Sequence, residues 1–212
     1  MATYDSARLI AMFDAIATAI EADKERLCQL DGVIGDADHG IAMALGFGAV
    51  REALGKLEAG SEPTAVLNAA AKSFLNAVGA SSGPLYATAF MRAGAAVKGK
   101  PALDDADMAA AFQAMAKGIQ DRGKAEVGEK TMIDAWVPAA AAMAEAQAAG
   151  RDFAAGLSAA LEAARGGAEA TKAMVATKGR AMRLGDRARG HVDPGAASAV
   201  TVIEAMARGL GD

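Results

Sequence analysis

The chain has 212 residues, a formal charge of −4 and a single cysteine, Cys28. This length suits one large domain with a sizeable hydrophobic core, and one cysteine excludes an intramolecular disulfide. The slight negative charge and the lack of a basic stripe interleaved with aromatics argue against a nucleic-acid partner. Cys28 falls in an amphipathic helical pattern, which favours a packing role.

Targeting and membrane signals are weak along the chain. Residues 1–6 show no basic segment followed by an apolar run, so the sequence does not predict a secretory signal. The apolar stretch from Trp136 to Met143 is alanine-rich, short and broken by Pro138, which argues against a membrane span. We therefore expect a cytoplasmic protein with no membrane partner.

Apolar residues recur at helical spacing along the whole chain, and the pattern contains no convincing strand. The first helical segment carries an apolar stripe made of Leu9, Ile10, Phe13, Ile16, Ala17 and Ile20. Further helices are predicted over 41–58, 63–78, 84–98, 105–121, 131–149, 152–177 and 195–210. Short connections favour antiparallel neighbours, so the sequence predicts an all-α, eight-helix antiparallel bundle or closed barrel, one domain over 1–212. Abundant alanine predicts close helix packing without a large aromatic core.

The segment between the first two helices, Asp31 to Gly40, contains three aspartates, a histidine and three glycines. We expect Asp31, Asp36 and Asp38 to point inward together where the backbone departs from helix, because glycine permits tight folding. Such carboxylates suit one or two Mg²⁺ ions that share a polyphosphate. A calcium EF-hand starting at Asp36 fails, since its twelfth residue would be Phe47 rather than glutamate. A solvated acidic turn is the simpler alternative.

Two later loops resemble helix starts that suit anions. In Gly79 to Pro84, Ser82 is suited to capping a helix and Pro84 to its first turn. The amides there, with the hydroxyls of Ser81 and Ser82, favour phosphate oxygens. The loop from His191 to Ser198 contains a Pro-Gly turn and could present amides in the same way.

The Gly-rich segment from Gly179 to Gly190 contains four arginines and lacks apolar periodicity. For any single arginine an exposed, solvated loop is the simpler interpretation, whereas the group could face phosphates or an acidic partner. The same ambiguity applies to the polar stretch from Asp121 to Met132. Asp134 and Trp136, on the helix that follows, are expected in the core or at the helix start.

Several common sites are excluded by their motifs. The chain contains no G-x-x-x-x-G-K-[ST] phosphate loop. The pair Gly46 and Gly48 lacks the third glycine of a dinucleotide fingerprint, because Arg51 stands there. His39 and His191 both fall in loops beside aspartates, without an ordered serine or cysteine partner for a hydrolase triad. A zinc site on these two histidines would leave the three aspartates unused.

Taken in order, these motifs resemble the nucleotide-binding L subunit of dihydroxyacetone kinase, which also forms the C-terminal domain of single-chain dihydroxyacetone kinases. The resemblance spans essentially the whole chain. The segments that carry it are Gly35 to Gly40, Ser82 to Leu85, Arg122 to Ala125, Lys130 to Met132, Gly179 to Ala181 and Asp193 to Gly195.

The resemblance implies an eight-helix antiparallel barrel with ADP or ATP at one end. Asp31, Asp36 and Asp38 would hold two Mg²⁺ ions that bridge the diphosphate and the transferred phosphoryl group. The residues implied around the nucleotide are His39, Gly40, Ile41, Ala42, Ser81, Ser82, Gly123, Met132, Arg180, Asp193, Pro194 and Gly195. Two positions depart from the family pattern, since Ala42 replaces a usual asparagine and Ala80 a common glycine of the phosphate loop. These departures bear on nucleotide affinity more than on nucleotide identity.

The implied function is the phosphoryl-donor subunit of a kinase for dihydroxyacetone or a related short ketose. The sugar would be held covalently by a histidine of a separate K subunit, and neither His39 nor His191 is that histidine. Either ADP stays bound and is recharged by a phosphohistidine protein of the phosphotransferase system, or ATP exchanges freely. A non-catalytic nucleotide-binding regulatory module is the alternative, which Ala42 keeps open. The nucleotide domain of a fatty acid kinase fits less well, because it normally belongs to a longer chain.

Overall fold

The computed structural model describes residues 2–79 and 81–210, so Ala80 lies outside the described residues. The α-helices are α1 (Ser6–Ile34), α2 (His39–Leu54), α3 (Pro63–Ala77), α4 (Ser82–Ala96), α5 (Asp105–Gly123), α6 (Ile133–Ala148), α7 (Phe153–Ala170) and α8 (Pro194–Leu210). Two 3-10 segments, Thr171–Ala173 and Ala181–Ala188, lie between α7 and α8. Tyr4 and Leu103 form an isolated antiparallel bridge.

The helices form a closed ring. Each one packs against its neighbours in sequence, and α8 packs against α1. This confirms the all-α antiparallel arrangement that the spacing predicts, and of the two forms left open, bundle and closed barrel, it is the barrel. Because successive helices run in opposite directions, the α1–α2, α3–α4, α5–α6 and α7–α8 connections all meet at one end. None of the helices within the described ranges combines the length and apolar character needed to cross a membrane.

The prediction that Asp31 lies where the backbone has left the helix is wrong. Helix α1 continues to Ile34, and the N–H of Gly35 still bonds to the carbonyl of Asp31. The α1 pattern persists because its apolar face remains buried as far as Leu27 and Ile34. Asp31 therefore projects from the last turn of a rigid helix, whereas Asp36 and Asp38 come from the connection itself.

The predicted helix over 152–177 is too long at its C-terminal end. Helix α7 stops at Ala170, and a 3-10 turn follows before the backbone becomes extended at Met174. The hydroxyl of Thr171 donates to the carbonyl of Ala168 at 2.6 Å, a local bond that satisfies the end of the helix. The long connection that precedes α8 begins at this point.

The centre of the barrel is aromatic, contrary to the expectation from composition. Rings from six helices meet there at centroid separations of 5.1–6.4 Å, mostly edge to face. They belong to Phe13, Phe47, Phe74, Tyr86, Phe90, Phe112 and Trp136, all of them almost fully buried. Many alanines are also buried, and because they are small, the few large side chains are left to fill the interior of the ring.

Adjacent glycines in α7 provide a matched test of this close packing. A Cβ on Gly167 would overlap the backbone carbonyl of Asp134 in α6, whereas one on Gly166 would meet no described atom within 4 Å. We expect Gly167→Ala to lower the free energy of unfolding by about 1–3 kcal/mol, because α6 and α7 must separate. Gly166→Ala should raise it by about 0.5–1 kcal/mol through helix propensity. Urea denaturation of both variants measures the difference, and equal effects would contradict the close contact.

Candidate functional site

A cavity of about 700 Å³ opens at the end of the barrel where the four connections meet, within the size range of small-molecule sites. Each connection contributes to its wall. The lining includes Asp31, Asp36, Asp38, Ser81, Ser82, Gly123, Lys130, Met132, Arg180, Asp193, Pro194 and Gly195. The up-and-down topology therefore collects polar residues that are far apart in sequence.

Asp31 shapes the acidic side of this cavity. Its side chain, 8% exposed, accepts hydrogen bonds from the backbone N–H groups of Asp38, at 2.9 Å, and His39, at 3.2 Å. Asp31, in the last turn of α1, thus caps the start of α2. Asp38 at the N-cap makes no side-chain capping bond of its own within the described chain, so the cap comes from α1. A Cβ on Gly35 would overlap the Asp31 carboxylate, which explains the glycine there.

A left-handed residue brings the other two aspartates alongside. Ala37 has φ of 64°, a conformation that is costly for an L-residue with a side chain. One carboxylate oxygen from each of Asp31, Asp36 and Asp38 lies within 4.8 Å of the others. Like charges at this spacing repel one another, and hard oxygen donors are the ligands that Mg²⁺ prefers. The residues present therefore fit a magnesium site.

The connection between α7 and α8 supplies a cation to the same place. We call residues 172–190 of this connection the lid. The guanidinium of Arg180 forms ion pairs with Asp36 and with Asp38, the latter at 3.3 Å. This contact joins the lid to the α1–α2 connection and offsets part of the negative charge of the three carboxylates.

The lid rests on the barrel through a small apolar cluster separate from the main core. Ala176 and Ala188 of the lid bury against Ile34 at the end of α1. A second contact reaches the α5–α6 connection, where the hydroxyl of Thr177 donates to the Glu129 carboxylate at 2.8 Å. Gly185, with φ of 56°, breaks the 3-10 segment. Of the two interpretations that the sequence left open, a solvated loop and a loop that faces an acidic group, the structure shows the second, with the lid folded against the mouth of the cavity.

Helix α4 begins at the cavity, but Ser82 does not cap it as expected. Ser82 is the first helical residue, and Ser81 at the N-cap makes no side-chain capping bond among the described residues. A Cβ on Gly83 would overlap the carbonyl of Val78, so this start is packed tightly against the end of α3. Helix starts of this kind leave backbone N–H groups that suit an anion.

The start of α8 is capped by its own aspartate. Asp193 is buried, its carboxylate accepts the N–H of Ala196 at 2.8 Å, and its own N–H donates to Thr171 Oγ1 at 2.9 Å. One amide that the sequence left open to a ligand is therefore occupied. Burial raises the pKa of Asp193 to about 7, although the Ala196 amide and the Lys130 ammonium act in the opposite direction.

His39 belongs to the first turn of α2 and not to a loop, which corrects the expectation from sequence. Its Nε2 lies 2.8 Å from the hydroxyl of Ser198 in α8, which also donates to the carbonyl of Gly195 at 3.0 Å. Burial lowers the pKa of His39, more than the nearby Asp31 carboxylate raises it. The imidazole therefore lies at the cavity wall, and its neutral form is favoured.

Most of the residues implied by the resemblance line the cavity, but two do not. Gly40 faces α1, where an added Cβ would overlap the carbonyl of Lys24, so close helix packing accounts for this glycine. Ile41 is 51% exposed and lies outside the lining. Ala42 and His39, their neighbours in α2, do face the cavity.

Sequence reasoning missed an apolar part of the wall. It is formed by side chains from α4, α5 and the α5–α6 region, namely Leu85, Ile119, Ala125 and Ile133. Their spacing is the ordinary apolar pattern of a core helix, so no local signal separates them from the core. Lys130 and Thr131 also line the cavity, and for them the polar stretch before α6 was the available signal.

The fold and the site together define an all-α barrel protein with an acidic, metal-suited cavity at one end. Residues 33–208 match the model of the DAK2 domain. The chain is 37% identical to "PEP-dependent dihydroxyacetone kinase 2, ADP-binding subunit DhaL" of Listeria innocua, over 97% of this chain and 95% of that protein. It is 38% identical to the corresponding ADP-binding subunit of Escherichia coli, with 87% and 88% coverage.

The fold is also found in a solved structure. The dihydroxyacetone kinase of C. freundii in complex with AMP-PNP and Mg²⁺ superposes with a TM-score of 0.72 at 25% identity. The match covers 94% of this chain and 33% of that longer one. The chain therefore belongs to the DAK2 domain family, whose relatives above are named as kinases or kinase subunits, that is, phosphotransferases.

The raised pKa of Asp193 predicts a pH dependence of stability. A carboxyl group whose pKa rises on folding, from 3.8 to about 7, destabilises the folded state progressively as pH increases through that interval. Asp193→Asn should therefore reduce the loss of unfolding free energy between about pH 4 and pH 7, by on the order of a few kcal/mol. Asp186→Asn, at an exposed lid carboxylate, is the control. Denaturation at both pH values tests this, and equal slopes for the Asp193 variant and wild type would contradict it.

Proposed function

We propose that this chain is the ADP- or ATP-binding subunit of a kinase for dihydroxyacetone or a related short ketose, and donates the phosphoryl group. The observation that carries the proposal is the convergence of Asp31, Asp36 and Asp38 in a cavity of nucleotide size. The names of the full-length relatives support the same activity, since they are ADP-binding subunits of dihydroxyacetone kinases.

The cavity has separate regions suited to the parts of a nucleotide. The three aspartates would hold two Mg²⁺ ions, and Ser81, Ser82 and the start of α4 would bind phosphate oxygens. Gly123 and Met132 would line the adenosine pocket with the apolar side chains described above, and Arg180 with Asp193 to Gly195 would close it. Bound Mg²⁺ would neutralise the charge of the diphosphate and of the transferred group.

The residues of this chain then act by positioning and by charge. In phosphoryl transfer a protein chiefly orients the groups and stabilises the developing charge, so this subunit needs no general base. Arg180 brings a guanidinium beside the acidic cluster, and the lid above it would exclude water. His39, held by Ser198, fixes the start of α2 against α8 at the cavity wall. The acceptor hydroxyl would come from a ketose carried covalently on a separate K subunit.

Exposed apolar side chains next to lining residues support such a partner. Val33, Ile41, Val127 and Met182 are each about half exposed, and each lies within two residues in sequence of a residue that lines the cavity. Apolar side chains at the rim of a site are typical of a surface that docks another protein. We propose that the K subunit binds over this rim, with the ketose facing the acidic cluster.

The source of the phosphate is the second part of the proposal. The relatives from Listeria and Escherichia coli are named as PEP-dependent and ADP-binding. Their names favour an ADP that stays bound and is recharged by a phosphohistidine protein of the phosphotransferase system over free exchange of ATP. The folded lid, with its ion pairs to the acidic cluster, is a structural feature that would slow nucleotide release.

The metal assignment predicts the effect of Asp36→Asn. Losing one carboxylate from the cluster should reduce Mg²⁺-dependent ADP binding and kinase activity with a K subunit by at least about tenfold, because an uncharged amide is a poorer ligand for a hard cation. Asp14→Asn is the matched control, since Asp14 is exposed and paired with Arg51 on the side of the barrel. Titration with a fluorescent ADP analogue measures the affinity. Unchanged binding and activity in the Asp36 variant would show that the metal assignment is wrong.

A wild-type chain that binds Mg²⁺-ADP but transfers no phosphate with any K subunit would favour the non-catalytic module instead. No nucleotide binding at all would contradict both functions.

The ion pairs of Arg180 predict competition with the metal. Arg180→Met should raise the affinity of the nucleotide-free protein for Mn²⁺ about two- to fivefold, since a competing cation is removed from Asp36 and Asp38. Arg183→Met, at another exposed arginine of the lid, should leave the affinity unchanged. Electron paramagnetic resonance of free Mn²⁺ measures both. Equal affinities in all three proteins would mean that Arg180 does not compensate the aspartates in solution.

A further inference from the structure

A buried lysine that the proposed function does not use lies at the base of the lid. Lys130 precedes α6 and is 1% exposed. Its Nζ donates to the backbone carbonyl of Thr171, at 2.6 Å, and to that of His191. These two residues flank the lid, one immediately before its first residue and the other immediately after its last. A single ammonium group therefore joins both ends of the lid to the α5–α6 connection.

Backbone and side-chain bonds complete the base of the lid. The N–H of Gly190 donates to the carbonyl of Lys172 at 2.8 Å, and the N–H of Asp193 donates to Thr171 Oγ1 at 2.9 Å. These bonds hold the two ends of the lid to each other. The Lys130 bonds do something different, because they fix both ends relative to the start of α6.

The local structure around Lys130 is costly, which argues against a simple packing role. Its φ is 60°, a left-handed conformation that non-glycine residues rarely adopt. Burial of its ammonium opposes the charge and lowers the pKa of Lys130, although the carboxylates of Asp193 and Asp134 favour the charged form. Asp134 also accepts the N–H of Thr131 at 2.8 Å and so holds the strained turn in place. An apolar side chain would fill the same space without the cost of burying a charge.

We propose that Lys130 is a positioning residue that sets the reach of the lid. Held at Thr171 and His191, the lid extends to the position where Arg180 contacts Asp36 and Asp38. This inference rests on the proposed function in one respect, since a fixed lid matters for activity only if it closes over a bound Mg²⁺-nucleotide.

Removal of the Lys130 ammonium should loosen the base of the lid. The carbonyls of Thr171 and His191 lose a charged donor, and the bond at Thr171 is buried, so the base of the lid must rearrange. The apolar cluster around Ile34, the ion pairs of Arg180 and the Thr177 bonds to Glu129 then hold the lid, while its two joined ends are no longer held by Lys130 to the start of α6. The lid should open more often while the barrel keeps its core.

The test compares Lys130→Met with Lys172→Met. Lys172 is the control, because it also lies at the base of the lid but is exposed and paired with Glu169 at 2.6 Å. Hydrogen exchange of the nucleotide-free proteins reports on residues 172–190 without requiring any ligand. Stopped-flow release of a fluorescent Mg²⁺-ADP analogue reports on closure over the nucleotide.

We expect Lys130→Met to speed exchange in the lid and release of the analogue by about tenfold each, with exchange in α1 and α5 unchanged. Lys172→Met should match wild type, and Lys130→Arg, which keeps the charge and the donors, should restore part of the protection. Unchanged lid exchange in Lys130→Met, or equally faster exchange throughout the barrel, would overturn the proposal. If Lys130→Met does not fold, Lys130→Gln is measured in its place against the same outcomes.

Failure of the proposed nucleotide-binding function and failure of the role of Lys130 give different experimental results. If the wild-type protein does not bind the Mg²⁺-ADP analogue, the proposed function fails, whereas lid exchange in the nucleotide-free variants still decides the role of Lys130. If the analogue binds and its release is unchanged while lid exchange rises, Lys130 positions the lid, and the part of the inference that gives the lid control over nucleotide release is overturned.

Discussion

Closure of the antiparallel ring is the constraint on which the other features depend. Because α8 packs against α1 and successive helices alternate in direction, every second connection is brought to the same end of the barrel. The aspartates, the start of α4, the turn before α6 and the lid become neighbours only through this arrangement. The helices themselves carry the core, so the connections are free to carry polar and strained residues without loss of the hydrophobic interior.

The charged groups of the cavity are the second organising feature, because the groups that offset one another's charge also hold the cavity in shape. Three carboxylates from one short segment lie close together, and the Arg180 guanidinium and two backbone amides at Asp31 offset their repulsion. Elsewhere in the lining, the buried Lys130 and Asp193 lie close enough to interact, and they hold the turn before α6 and the start of α8. A site assembled in this way is already ordered around the positions that a metal ion and phosphate would take.

Much of the fold and part of the site could be predicted from the sequence. Helical periodicity located each of the eight α-helices in the described part of the chain, because a long amphipathic helix leaves a regular apolar pattern. The aspartate motif was also visible in the sequence, because its residues are close to one another along the chain. The helical position of Asp31 and the early end of α7 were not, since a helix end depends on local caps and on burial rather than on periodicity.

The sequence by itself determined the fold class, the order of the helices and the acidic motif, because each of these is written in local spacing and composition. Only the tertiary structure decided that Arg180 reaches Asp36, that Gly40 serves helix packing, and that Lys130 joins the two ends of the lid. These contacts bridge residues up to 144 positions apart, as for Asp36 and Arg180, and pairing at that distance follows from the closure of the ring. Local patterns contain no record of it.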